Sequence, residues 1–189
     1  MKTKGRFGSY IDELLRLTLA NPKPGKKGWN ADWHFKHRDA DGNILWEGVN
    51  PNNLADEGEK SVLETYLRGS AAPGTFYLRL FGDTPVDTDT ISTLLNEPAG
   101  SGYAAKAVFR GTGTDGWPNL VLAGTDYCAS SGTFQFTCNS GSWGPVTYAA
   151  MTTVGTGTSG LLISYVALSG SRILQLNDTL DVAIQVSLG

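Results

Sequence analysis

The chain has two histidines, His34 and His37, and both lie where apolar and polar residues alternate as in a β-strand. Residues three apart on a strand point to opposite faces. The pair therefore makes a poor metal-ligand set, and no cysteine stands near enough in sequence to complete one. A Ser-His-Asp arrangement would need one of them as its base, and the sequence has no nucleophile elbow to go with it. Asp39-Ala-Asp-Gly-Asn43 starts like a calcium loop. Such a loop needs a bidentate acid at its twelfth position and helices on either side. Here the twelfth residue is Asn50 and the flanks read as strands, so the segment is expected to be a hairpin turn. Gly111–Gly116 and Gly155–Gly160 both match G-x-G-x-x-G. Neither opens a helix inside a βαβ unit, where the pattern cradles a pyrophosphate, so both read as loops.

Fourteen acidic residues fall within residues 1–98. Glycoside hydrolysis needs two carboxylates at a fixed separation, and no spacing singles out such a pair; these read as surface acids. Trp29, Trp33, Trp46, Trp117 and Trp143 could stack on sugars. The preferred reading places them in the core or at an interface, with Trp33 and Trp46 pairing across a hairpin or packing on the body. Trp143-Gly-Pro145 reads as a corner before a strand. No catalytic residue, metal or cofactor is expected.

The elements that carry these residues divide the chain unevenly. Of 33 charged side chains, 26 lie in residues 1–98, and the rear half is rich in Gly, Thr, Ser and β-branched residues. Residues 1–38 hold nine basic side chains and three acidic ones; residues 39–189 hold six and fifteen. A basic arm on an acidic body suits nucleic acid or an acidic protein surface, or is simply solvated. The arm lacks the dense arginines interleaved with aromatics of single-strand binders, so no direct nucleic-acid role is expected. No run approaches the ~20 apolar residues of a membrane span, and Leu14–Ala20 is too short for a signal-peptide core. Synthesis in the cytoplasm is the default. Cys128 and Cys138 are too few for a disulfide scaffold; they either face each other across a hairpin or, as the preferred reading, stay two half-buried thiols. A β-rich chain with 17% charged residues needs its edges and faces covered, which hints at an assembly.

Phe7, Tyr10, Ile11, Leu14, Leu15 and Leu17–Leu19 recur near helical period, starting near Ser9 and stopped by Asn21-Pro22. Residues 21–28 read as an extended linker. Trp33, Phe35, Ile44 and Trp46 alternate about the Asp39–Asn43 turn as a β-hairpin. A second helix is expected after Asn50–Asn53, with Asp56, Glu57 and Glu59 at its start and a stripe of Val62, Leu63, Tyr66 and Leu67. Arg68 falls in its last turn, and Gly69 is its C′ residue. Eight strands follow: Thr75–Phe81, Ala104–Arg110, Leu120–Ala123, Thr133–Cys138, Val146–Val154, Leu161–Leu168, Ile173–Leu176 and Leu180–Leu188, with a helical turn within Asp87–Leu95. Short strands at turn spacing predict a mainly β chain. The body is an antiparallel β-sandwich or jelly roll, with an N-terminal helical arm, a β-hairpin and one further helix. Residues 1–50 would form the arm and residues 51–189 the helix plus body.

Several segments together resemble a family of small virion structural proteins encoded among the morphogenesis genes of tailed bacteriophages. They are Arg38 with Asp39–Glu47, Asn52–Leu67, Phe76–Leu80, Glu97–Tyr103, Trp143–Tyr148 and Leu161–Leu188, so the resemblance covers about residues 33–189. It implies no catalytic residues and a place in the virion. The leading expectation is a capsid decoration (cement) protein on the outer head, bound to the major capsid protein and to copies of itself as a homotrimer. A tail, connector or head-fibre component is the alternative, and a host-glycan-binding adsorption module the third. The expected partner-binding residues are Phe7, Tyr10, Leu14, Leu15, Lys26, Lys27, Trp29 and Trp33, because strand addition and helix-in-groove docking suit such an arm.

Overall fold

The computed structural model describes residues 29–124 and 126–188. The expected N-terminal helix and its linker lie outside the described residues.

Among the described residues, eleven strands form two antiparallel sheets. The first carries β1 (Trp29–Arg38), β2 (Ile44–Pro51), β6 (Asn119–Ala123), β7 (Asp126–Ser130), β8 (Phe134–Thr137) and β11 (Thr179–Leu188). Its order is β2-β1-β11-β7-β6. β8 and β7 share one edge of β11: β8 pairs with Thr179–Val182 and β7 with Gln185–Leu188. Ser131 bridges the gap between them, its N–H donating to the Ile184 carbonyl and its hydroxyl accepting the Ile184 N–H at 2.8 Å. The second sheet holds β3 (Asn53–Leu54), β4 (Thr75–Phe81), β5 (Lys106–Phe109), β9 (Ser142–Thr152) and β10 (Leu162–Gln175), in the order β3-β10-β9-β4-β5.

Alternation dictates which face each strand buries. Along β11, Leu180, Val182, Ile184 and Val186 are buried, and Asp181, Ala183, Gln185 and Ser187 point the other way. Along β1, Ala31, Trp33, Phe35 and His37 are buried, while Asn30, Asp32 and His34 are exposed. These meet Leu78, Leu80, Val146, Ala149, Met151, Val166 and Leu168 of the second sheet in one core. The hairpin is therefore not part of an appended arm. β1 lies between β2 and β11 and pairs with β11 over ten residues, so the body begins at residue 29 rather than 51.

A third layer covers the outer face of the second sheet. Phe81, Ala150, Leu162 and Tyr165 turn away from the main core and pack with Ala55, Ile91 and Leu94. Helix α1 (Asp56–Leu67) lies on this face, with three acids in its first turn and Gly69 beyond its end at φ +74°. The helix approaches β10 so closely that a Cβ on Gly58 would meet the Ile163 carbonyl oxygen at 2.0 Å. The expected stripe is only half used. Val62 and Leu63 are half-buried, but Tyr66 and Leu67 are exposed, because the contact runs through Ala55 and Gly58 at the helix start. The turn expected within Asp87–Leu95 is a single 3-10 turn, Ile91–Thr93.

Two strand expectations need correction. Leu161–Leu168 and Ile173–Leu176 are one strand, β10, kinked where its register with β9 shifts between Ala167 and Arg172. Ser169 and Gly170 there have φ of +55° and +133°, and Gly170 meets no strain in that conformation. β7 was not expected at all, and with β6 it forms a hairpin. Trp143-Gly-Pro145 lies inside β9 rather than before it.

Candidate assembly surface

The residues first considered for chemistry are occupied structurally. His34 and His37 do point to opposite faces, His34 outward and His37 into the body. His37 Nε2 lies 3.3 Å from Asp178 Oδ2, with both side chains buried, and the same oxygen accepts the Gln175 N–H at 2.9 Å. This pair ties β1 to the β10–β11 turn. Asp39 accepts the N–H groups of Asp41 and Asn43 at 3.0 and 2.8 Å and the Asn43 side-chain amide at 2.9 Å. The Asn43 amide is the main cause holding the Asp39 carboxyl below its usual pKa. Its oxygens thus close the hairpin turn, where Gly42 sits at φ +84°. Both glycine-rich segments are loops. Cys128 and Cys138 are free and buried.

The polar groups of the outer layer are likewise committed to each other. Tyr165 donates to Asp87 at 2.6 Å, and burial is the first cause of its raised pKa, ahead of that bond and the Asp87 charge. Burial also raises Glu59, with the charges of Asp56 and Asp87 adding to it. Glu57 caps the start of β10 by accepting the Leu162 N–H at 2.8 Å.

The tryptophans divide the same way. Trp33 and Trp143 are buried in the core, and Trp46 and Trp117 are half-buried against it. Trp33, Phe35 and Trp46 stack in series, with centroids 6.3 and 5.8 Å apart, and Arg172 lies over the Trp46 ring at 4.1 Å. No indole among these four lies open as a sugar platform would. Trp33, expected to bind a partner, is fully buried; its position on the inward side of β1 commits the ring to the core. Trp29 starts β1, and Phe7, Tyr10, Leu14, Leu15, Lys26 and Lys27 lie outside the described residues.

The surface that stands out is the β6–β7 ribbon. Residues paired across antiparallel strands share a face. Leu120 pairs with Ala129, Ala129 with Val186, and Val186 with Ala31, and of these Val186 and Ala31 belong to the core. The next rung runs Leu122, Tyr127, Leu188, Trp29. The core face of the first sheet therefore continues into β6 and β7, beyond the cover of the second sheet. Leu120, Leu122, Tyr127 and Leu188 are 70, 59, 62 and 58% exposed there. Val121, on the other face, is 51% exposed, and all five residues of β6 are exposed. Among the described residues β6 is also the end strand of its sheet, without a charged side chain or a proline in it. Soluble proteins usually protect such an edge with charge, a bulge or cover. β6 has neither charge nor proline, and its large side chains stay exposed.

This ribbon is absent from the expected partner-binding residues. Its apolar run Leu120-Val-Leu122 reads as a strand, and only the lack of an opposing partner among the described residues makes it a surface. Gly124-Thr125, a Gly-X pair of the kind that closes two-residue hairpins, was the available signal for β7.

Residues 53–187 match the family model described as podophage GP4 fiber I protein gp80. No curated protein matches the chain.

Proposed function

The chain belongs to this family of tailed-bacteriophage virion structural proteins, and from that premise we propose that it is a non-enzymatic subunit of a virion fibre, joined to its neighbours through the β6–β7 ribbon. The observation that carries the reading is the uncovered inward face of that ribbon, where four large apolar side chains of the core rows stay in solvent. A body that exposes the continuation of its own core is complete only in an assembly. The family description favours a fibre over the capsid-decoration role.

The basic arm serves attachment. Residues 1–28 carry seven basic and two acidic side chains, against eight and sixteen in the remainder. They join the body at Trp29, which lies in register with Leu188, Tyr127 and Leu122. Phe7, Tyr10, Leu14 and Leu15 supply apolar anchors, and Lys26 and Lys27 the charge for an acidic structural partner.

The test is incorporation. Particles assembled with the Leu122→Asp chain should lack the protein, although the variant folds, because Leu122 supports nothing inside the body. Normal incorporation of Leu122→Asp would remove the ribbon from the assembly and defeat the reading.

A further inference from the structure

We propose that β6 pairs with β6 of a second copy, antiparallel and two-fold symmetric about Val121, to make one continuous sheet across two bodies. This rests on the reading of the ribbon as an assembly surface and names its partner. The sequence of β6 is self-complementary. In Asn119-Leu-Val-Leu-Ala123, reversal about Val121 places Leu120 opposite Leu122 of the second copy and Val121 opposite itself. A two-fold contact requires such matching, since each residue must suit the one facing it. A two-fold centred on Leu120 or Leu122 instead would set only one of the two leucines against leucine, and would place Val121 opposite Asn119 or Ala123.

The pairing answers what β6 leaves open. Its outer edge has no strand partner among the described residues, and a second β6 supplies the missing ladder. On the inward face, the row Leu188–Tyr127–Leu122 of one copy would run into Leu120–Ala129–Val186 of the other, an unbroken apolar stripe. On the opposite face, the two Val121 side chains would meet. No charged side chain in β6 opposes the approach. Three large side chains, the Tyr127 ring one strand in and five residues of backbone edge bring the contact to roughly 500 Å² per copy. The total of about 1,000 Å² is where specific interfaces begin. A contact of this size gains from the arm, which would hold copies together as a second point of attachment.

The pairing differs from the three-fold arrangement expected of a decoration protein. Three-fold closure joins unlike surfaces, and β2, the other end of this sheet, carries Glu47 and bonds through Asn50 to Ala167 and Ser169 of β10.

The experiment uses the full chain. Sedimentation equilibrium should give twice the 20.1 kDa chain mass, falling by half in Val121→Lys. Register is read separately in a Val121→Cys, Cys128→Ser double variant. Cys128 is replaced because it faces Val121 within the chain. Paired residues on facing strands lie ~4.5–5.5 Å apart at Cβ, so mild oxidation should link two chains through position 121. An Asn119→Cys, Cys128→Ser control, whose partner is Ala123 of the other copy, should stay unlinked. A monomer or trimer for the wild-type chain overturns the proposal, as does a dimer that Val121→Cys does not link. A wild-type monomer together with lost incorporation of Leu122→Asp would remove this pairing and leave the fibre-subunit reading standing.

Discussion

Glu97 holds Arg79 through both carboxylate oxygens: Oε1 accepts from Nε at 2.9 Å, and Oε2 accepts from the second terminal nitrogen. Arg79 is 3% exposed on β4, facing the outer layer, and its remaining terminal nitrogen donates to the Gly157 carbonyl at 2.9 Å. Planar, bidentate pairing suits guanidinium, and it pins residues 97–103 and the Gly155–Gly160 loop to one strand. Removing one partner of a buried pair leaves an uncompensated charge, at ~3–5 kcal/mol. Glu97 keeps 24% of its side chain exposed, so solvent screens part of this. Glu97→Ala should therefore cost about 2–3 kcal/mol in chemical denaturation. Arg79→Met in the same chain should recover part of the loss. No loss in the single variant would mean that the pair does not anchor the loop.

Tyr103 extends the network. Its hydroxyl donates to Glu97 at 2.7 Å and accepts the Leu80 N–H at 2.9 Å. Burial, and then the Glu97 charge, push its pKa well above the usual tyrosine value. A phenol whose folded pKa is raised stays protonated in the native state after the unfolded chain has begun to release its proton. Its contribution is thus intact below the unfolded pKa of about 10 and falls as pH rises beyond it. Tyr103→Phe should cost about 1–2 kcal/mol at neutral pH, from the unpaired Leu80 N–H and the lost bond to Glu97. It should also make the alkaline decline in stability shallower. Denaturation midpoints measured across that range for both proteins test the sign; a steeper decline in Tyr103→Phe would refute it.

Gly58 is the point at which α1 touches the second sheet. A methyl group there would meet the Ile163 backbone, which has no side-chain freedom with which to yield. Gly58→Ala should destabilise the protein by about 1–3 kcal/mol, despite alanine's better helix propensity. Hydrogen exchange should rise first in residues 56–67, while β1 and β11 stay protected. Greater thermal stability in Gly58→Ala would contradict this packing.

Deleting residues 1–28 keeps every strand found among the described residues. The truncated chain should keep a β-dominated circular-dichroism spectrum and lose attachment to the particle. Unchanged attachment, with the same dependence on salt, would show that the arm is not an anchor.

The sequence-based reading went furthest where alternation is unambiguous. Leu180–Leu188 has one buried and one solvent-facing row because one face packs on a second sheet, and Thr75–Phe81 was bounded as found. The hairpin turn was legible because Asp39, Gly42 and Asn43 have turn chemistry of their own. The place of the hairpin was not, since nothing local in Trp29–Arg38 states that its partner is Thr179–Leu188, some 150 residues away. That long-range pairing is also why Trp33 was misread as a contact residue. β7 escaped notice because Asp126–Ser130 has only Cys128 buried and so carries almost no pattern. The exposed ribbon followed from the same limit. Leu120-Val-Leu122 looks like core until the fold shows that the second sheet does not cover it.

The central claim, a fibre subunit joined through an exposed apolar ribbon, is tested most directly by a density map of purified virions. The account predicts that the two-sheet body fits density in the fibres projecting from the particle, with the β6–β7 ribbon facing protein rather than solvent. Density for this chain spread over the capsid lattice, or a body in the fibre whose Leu120, Leu122 and Tyr127 face solvent, would contradict it.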